Sequence, residues 1–362
     1  MASHEQVDKI RPYNDPRIQF RSAHLYGHLY GHLYGHLYGH LYGHLYSTPP
    51  ASIPHRGTII LVHGFPDLSL GWRYQIPHLT SLGLTCIAID CLGYGRSDAP
   101  PTSSLSNYGF KRCADDIAEL CRQLSLPSIL LGGHDWGGAI IYRTAQYHPT
   151  LVRALFSVCT PYFPPQHTYI PHALLVATQP PNFRYQLEYA SGVIEERVRS
   201  RNELRQYLAG GFLAQSPDGQ IVATALGGMN WESLPKLGKS PLLDEGEIEY
   251  YVNEYARHGI NGPLNWYRNR EVNFVDEYEF FFANGQRLNV KPTVEQEVLF
   301  IMANEDEALP PSMSEDMVNF IPNLTREEVD CGHWALWQRA ADVNRMVARW
   351  LEEKVLADQA ET

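Results

Sequence analysis

The segment ILLGGHDWGGAIIY, residues 129–142, constrains the fold more than any other stretch of this chain. A buried apolar strand passes through Gly133, His134, Asp135, Trp136 and Gly137 directly into an apolar helix. Small residues on both sides of one central side chain permit a strand-to-helix turn sharp enough to hold that side chain above the end of a sheet. The central residue here is Asp135, where turns of this kind usually carry serine. A serine alkoxide suits attack on a carbonyl, whereas a carboxylate suits displacement at an sp3 carbon. Such a displacement leaves an alkyl ester on Asp135, and turnover then requires water to hydrolyse it.

The surroundings of this turn alternate short apolar runs with helical stretches. Residues 58–62, 85–90, 128–131 and 154–159 are aliphatic or β-branched runs too short for helices, and they predict buried strands. Phe110, Cys113, Ile117, Leu120, Cys121 and Leu124 share one helical face between the second and third of them. Strand, helix, strand alternation predicts an α/β fold with a mostly parallel sheet and right-handed crossovers. The rhythm stops near residue 161, and ELRQYLAGGFLAQ and DEGEIEYYVNEYARHG predict helices within an inserted, mostly helical domain. Strand-like runs resume at 297–302 and 327–330, and a helix with Val343, Met346, Val347, Trp350 and Leu351 on one face closes the pattern. The division is an arm at 1–23, a repeat at 24–46, a core at 47–161 and 293–362, and an insert at 162–292.

The repeat reads HLYG five times and then HLY. On a helix His24, His28, His32, His36, His40 and His44 would line up as metal ligands. Glycine at every fourth position argues against that helix, at about 1 kcal/mol each relative to alanine. In an extended chain His and Tyr share one face and Leu and Gly the other, so the preferred reading is an expanded short strand without metal. Lys and Arg number 29 against 40 Asp and Glu, and the resulting charge of −11 excludes nucleic acid and anionic membrane surfaces as natural partners. No stretch approaches the roughly 20 apolar residues of a membrane span, and the first residues contain no apolar leader segment, so the expected location is cytoplasmic. The six cysteines form no CxxC pair or metal-ligand spacing, and read as buried free thiols.

Hydrolysis of an ester on Asp135 needs a base for water and donors for the developing oxyanion. His333, in CGHW after a predicted strand, is the candidate base, and Asp306 in ANEDEALPP is its candidate orienting acid. Glu305 and Glu307 flank Asp306 and point the opposite way if the chain there is extended. The order nucleophile, acid, histidine also differs from that of chymotrypsin-like and subtilisin-like enzymes. The oxyanion donors are the backbone N–H of Trp136 and that of Phe65, in the HGFP loop after the first motif strand. His63 and His134 read as structural groups beside these elements, Asp90 and Asp98 as loop anchors, and His148 as a helix end.

Taken together, HGFP (63–66), GYGRSDAP (93–100), GGHDWGG (132–138), GPLNWYRNRE (262–271) and DCGHWAL (330–336) resemble the motifs of the soluble epoxide hydrolases of the α/β-hydrolase superfamily. The likeness spans about residues 57–351, with a fungal flavour. It implies an eight-stranded core with a helical cap, and the insert falls where that cap belongs. It also implies two cap tyrosines that hold the epoxide oxygen, matched by motif to Tyr185 in NFRYQLEY and Tyr267 in GPLNWYRN. Chemically, ring opening generates an alkoxide, and a phenol with an ordinary pKa of about 10 can give it a proton. The chain has 22 tyrosines, and Tyr189, Tyr250, Tyr251 and Tyr255 share the insert. The implied reaction takes a small-molecule epoxide and water to a vicinal diol, without cofactor or metal, in a monomer or homodimer.

Two other functions fit parts of the pattern. A haloalkane dehalogenase would share Asp135, the His333–Asp306 pair and Trp136, whose indole N–H would hold the halide. It has no use for a phenolic acid, so Tyr267 favours epoxides. A ligand-binding protein that kept the fold without turnover would not need nucleophile, base, acid and oxyanion loop together.

Overall fold

The computed structural model describes residues 7–26, 39–178, 181–283 and 292–357. Its centre is an eight-stranded sheet in the order β1-β2-β4-β3-β5-β6-β9-β10. The strands are β1 (Gln19–Tyr26), β2 (Gly39–Ser47), β3 (Gly57–Val62), β4 (Leu84–Ile89), β5 (Ile129–His134), β6 (Val152–Val158), β9 (Glu297–Ala303) and β10 (Leu324–Val329). A small hairpin of β7 (Ala223–Thr224) and β8 (Gly228–Met229) stands apart in the insert. β2 runs antiparallel to β1 and β4, and all other pairs in the large sheet are parallel.

The parallel strands are apolar on both faces because helices cover both. Every residue of β4 and β5 is buried. Helices α1 (Gln75–Ser81) and α12 (Ala340–Trp350) pack together, as do α2 (Phe110–Gln123) and α3 (Trp136–Tyr147). α2 buries Cys113, Ile117, Leu120 and Cys121 as its spacing predicts, while Leu124 is exposed. His148 caps the end of α3 and bonds Asp115 through Nε2 at 2.9 Å. β10 starts at Leu324, earlier than its hydrophobicity suggests, because only Val329 of its residues is fully buried.

The insert follows β6. It holds α4 (His172–Thr178), α5 (Tyr185–Ser191), α6 (Val193–Arg197), α7 (Arg201–Gly211), α8 (Glu245–Tyr255), α9 (Asn261–Leu264) and α10 (Arg270–Tyr278). α7 and α8 each open with a capping box, Ser200 with Glu203 and Asp244 with Glu247. The helix expected to continue through FLAQ ends at Gly211. Phe212 turns inward against Tyr251, Trp334 and Trp337, and Leu213 takes a positive φ of 62°. Glu247 ties the insert to the core, with its carboxylate 2.8 Å from Arg73 and 2.7 Å from Lys9.

The described parts of the HLYG repeat are extended, at 24–26 in β1 and 39–46 in β2; His28, His32 and His36 lie outside the described residues. His24 pairs with Leu41, so it shares a face with Leu41 and not with His40 and His44, and the three do not converge. The last copies are built into the protein. Tyr42 donates to Asp116 at 2.9 Å, His40 bonds Asn107 at 3.1 Å, and Leu41 N–H donates to Asp98 at 2.7 Å. Gly43 lies so near Arg96 that an added Cβ would sit 2.4 Å from the Arg96 Cβ. Neither side can yield without moving backbone, so Gly43→Ala is expected to destabilise by about 1–3 kcal/mol. A urea midpoint equal to wild type would contradict this packing.

Candidate active site

Asp135 stands alone between β5 and α3, with φ 54° and ψ −125°. This left-handed geometry is disfavoured for a side chain, and the packing around it holds it in place. A Cβ on Gly137 would lie 2.0 Å from the Val62 carbonyl oxygen, and one on Gly64 would lie 2.1 Å from Asp135 Oδ1. Glycine therefore lets the start of α3, the end of β3 and the 63–66 loop meet. Phe65 N–H donates to Asp135 Oδ1 at 2.7 Å, and the Trp136 N–H also bonds this carboxylate. Both expected backbone donors thus converge on one side chain. His63 fixes the loop: its Nδ1–H donates to the Gly64 carbonyl at 2.7 Å, and its Nε2 accepts the Cys91 N–H at 3.0 Å. Burial lowers the His63 pKa to about 4, so it does this as a neutral ring.

His333 and Asp306 meet beside Asp135. His333 Nδ1 lies 2.7 Å from Asp306 Oδ2, and Nε2 lies 3.7 Å from Asp135 Oδ2. Asp306 is buried and accepts the N–H groups of Ala308 at 2.9 Å and Leu309 at 3.0 Å, while Glu305 and Glu307 are exposed. The reason expected from sequence was an extended chain at 305–307. The structure differs: β9 ends at Ala303 and the chain turns, with Asp306 N–H returning to the Ala303 carbonyl. The turn, rather than strand alternation, aims Asp306 inward. The His333 carbonyl is held by His134 Nε2 at 2.8 Å and Cys159 Sγ at 3.2 Å. Burial, with the charge of His333, lowers the His134 pKa to about 3 and keeps that ring a neutral donor.

Asp135 and Trp136 form part of the wall of a cavity of about 510 Å³ between core and insert, and Tyr185 and Tyr267 line the same cavity. The Tyr267 ring packs edge-on against Phe65 at 5.4 Å, Trp136 at 5.2 Å and Tyr189 at 4.9 Å, and is 6.1 Å from Tyr185. Burial pushes both phenols above the ordinary tyrosine value, and the negative Asp135 adds to this, so both stay protonated donors. Gln186 donates to the Tyr185 oxygen at 3.4 Å, and its own carbonyl accepts from His172 Nε2 at 3.0 Å. Sequence spacing did not reveal this pair. Tyr251 instead bonds Asp67 at 2.5 Å, and Tyr250 stacks on Phe20. The Trp136 indole N–H is buried without a partner among the described residues.

Electrostatics separates the acidic groups. Burial raises the Asp135 carboxyl, against the pull of His333 and the two N–H donors. Burial opposes charge on Asp306 too, but His333 and the Ala308 and Leu309 N–H groups hold it below the usual carboxylate value. For His333 burial works against the imidazolium, yet Asp306 and then Asp135 raise its pKa to about 9. A raised histidine pKa stabilises the fold fully below its unfolded value near 6.5, and that contribution is lost as pH rises through about 9. The lowered Asp306 contributes above its unfolded value near 3.9, and this is lost as pH falls through its folded value. NMR titration is expected to place the His333 ring near 9 in the wild type and to show a clear fall in Asp306→Asn. An unchanged value in the variant would contradict this account. The stability advantage of wild type over Asp306→Asn should also shrink between about pH 6.5 and 9.

Comparison with known proteins agrees with this architecture. Residues 57–340 match the α/β hydrolase fold family. An epoxide hydrolase of Neurospora crassa, srdG, is 38% identical over 315 residues, covering 84% of this chain and 89% of that protein. The bifunctional epoxide hydrolase 2 of Rattus norvegicus is 34% identical over 304 residues, covering 82% of this chain and 52% of that protein, so this chain spans about half its length. In fold, the chain is similar to an epoxide hydrolase of Vigna radiata, with a TM-score of 0.72 at 20% identity, covering 93% of this chain and 98% of that one. No helix among the described residues is long and apolar enough to cross a membrane. The chain belongs to the epoxide hydrolase family of the α/β hydrolase fold.

Proposed function

We propose that this protein is an epoxide hydrolase, and that Asp135, His333, Asp306, Tyr185 and Tyr267 carry the reaction. The observation that carries the reading is two protonated phenols lining one cavity with a carboxylate nucleophile. Oδ1 of Asp135 is held by Phe65 N–H, leaving Oδ2 to attack an oxirane carbon. The C–O bond of the ring breaks, and the oxygen takes a proton from Tyr185 or Tyr267. Oδ1 then becomes the ester carbonyl, already placed against the N–H groups of Phe65 and Trp136. His333 Nε2 takes a proton from water, which adds to the ester carbon. The tetrahedral intermediate collapses by breaking the bond from its carbon to the substrate oxygen, which takes the proton from His333 and leaves as the diol; the regenerated Asp135 carboxyl gives up its proton, and the tyrosinate recovers one through solvent.

His333 changes state between the two halves. In the free protein the Asp135 charge helps keep it protonated, and alkylation removes that charge. The imidazole becomes a competent base when an ester is present to hydrolyse. A halide leaving group could be met by the Trp136 indole N–H but would leave both phenols unused, so dehalogenation is not favoured.

The remaining assignments follow the same reading. We assign residues 162–292 as the cap and 47–161 with 293–362 as the core. The proposed groups all come from one chain, which supports activity as a monomer or homodimer. All six cysteines are free and buried, in keeping with a cytoplasmic enzyme.

Asp135→Ala is expected to abolish diol formation from an aryl epoxide; activity near wild type would sink the assignment. His333→Gln should accumulate an enzyme heavier by the mass of the substrate, and the absence of that adduct with a turned-over epoxide would exclude the two-step route. Replacing both Tyr185 and Tyr267 by Phe should slow ring opening by about 10²–10⁴-fold in single-turnover assays. A smaller change would move proton donation elsewhere.

A further inference from the structure

Arg268 follows Tyr267 in the chain but takes no part in the cavity wall. Tyr267 ends a short turn, Asn265–Tyr267, that is anchored to the core. The Trp266 indole N–H donates to the Leu92 carbonyl at 2.9 Å, the Thr102 hydroxyl donates to Asn265 Oδ1 at 3.0 Å, and Asn269 Nδ2 donates to the Tyr108 carbonyl at 2.6 Å. Trp266 and Tyr267 are themselves buried. One of the two phenols therefore has a place fixed by the core.

Tyr185 stands on different ground. It opens α5, and no residue of that helix is fully buried. Apolar packing alone fixes such a helix poorly, so polar ties must set where Tyr185 stands. The Tyr189 and Ala190 carbonyls lie in the last turn of α5, where helix carbonyls have no partner further along the helix.

Arg268 joins the two segments. Its Nε donates to the Ala190 carbonyl at 3.1 Å and its Nη2 to the Tyr189 carbonyl at 3.4 Å, so the guanidinium fork closes on the end of α5. Nη2 also meets Glu195, in α6 just beyond, at 2.5 Å, and Nη1 donates back to Asn265 Oδ1 at 3.1 Å. Glu195 accepts from Asn261 Nδ2 at 3.1 Å as well, which ties α6 to the same anchored stretch. With its charge answered by Glu195 and its side chain 11% exposed, Arg268 is held in one geometry.

Two phenols can share one oxygen only at a suitable separation. A hydrogen bond from a hydroxyl to an anionic oxygen spans about 2.5–2.7 Å, and a misplacement of about 1 Å forfeits most of its catalytic worth. The rings of Tyr185 and Tyr267 stand 6.1 Å apart. Tyr189 packs edge-on against both, at 5.1 and 4.9 Å, and it is a residue whose carbonyl Arg268 holds.

We propose that Arg268 is a positioning residue for ring opening: by clasping the end of α5 it sets the gap at which Tyr185 and Tyr267 both meet the epoxide oxygen. This rests on the epoxide hydrolase reading above.

The test follows styrene oxide in single-turnover experiments, with mass spectrometry of the quenched enzyme giving the rates of ester formation and ester breakdown separately. Arg268→Met is expected to slow ester formation about tenfold, as for loss of hydrogen bonds made by a charged group, and to leave ester breakdown within about twofold of wild type. Arg268→Lys keeps the charge beside Glu195 and loses the fork, so its rate should lie between. A double-mutant cycle with Tyr185→Phe supplies the readout that a general loss of stability would not move. Removing the Tyr185 hydroxyl should cost at least about threefold less in Arg268→Met than in wild type. Independent effects in the cycle, or equal slowing of both half-reactions, would overturn the proposal. If Arg268→Met does not fold, the same cycle on Arg268→Lys decides it. If wild type yields no diol from styrene oxide or from aliphatic epoxides, the epoxide hydrolase reading fails, and crystal structures of wild type and Arg268→Met decide the positioning separately. A Tyr185–Tyr267 gap changed by about 1 Å or more upholds it; an unchanged gap overturns it.

Discussion

The backbone contact between the start of α3 and the end of β3 is the constraint on which the site depends. With hydrogen at Gly137, the helix can begin against the Val62 carbonyl, where a methyl group would lie 2.0 Å from the oxygen. That approach brings the Trp136 N–H and the Phe65 N–H to the same carboxylate and turns Asp135 out at φ 54°. Gly64 completes the arrangement by letting the loop pass beside Asp135 Oδ1. A buried ring, His63, then locks that loop from behind through Gly64 and Cys91. The strain at one residue is held by a packed sheet, which is why Asp135 sits at a strand end rather than on a free loop.

Two aspartates one imidazole apart behave oppositely because their surroundings differ. Asp306 has two N–H donors on one oxygen and His333 at 2.7 Å on the other, and is held below the usual value. Asp135 is desolvated with His333 at the longer distance of 3.7 Å, and is raised. The asymmetry suits the proposed roles, a carboxylate that forms a bond and another that holds a ring. The insert completes the cavity wall, bringing Tyr185 and Tyr267 to the same space as Asp135.

At the sheet edge the HLYG copies show how an unusual sequence can be absorbed. A period of four is twice the strand period of two, so each copy presents the same faces. Tyr42, His40 and His44 share a buried face, where Asp116 and Asn107 bond the first two. Burial lowers the His44 pKa to about 4, against a backbone contact from Tyr42. The neutral ring is tolerated there because the cost of burying an imidazolium is avoided.

Local spacing by itself determined the strand-helix alternation, the elbow at Asp135, the place of the insert, and Asp306 and His333 as residues near strand ends. These are legible because a period of 2 or 3.6 and a pair of glycines act within a few residues of chain. Asp306 was nameable although the extended geometry assumed for it was replaced by a turn. Tertiary structure alone decided that Gln186 and His172 stand behind Tyr185, that Asp67 meets Tyr251, and that Glu277 pairs with Arg143. Residues 67 and 251, or 143 and 277, come together only through the way the insert packs against the sheet and its helices. The distance and dielectric that tune their charges arise from that packing and leave no trace in spacing along the chain.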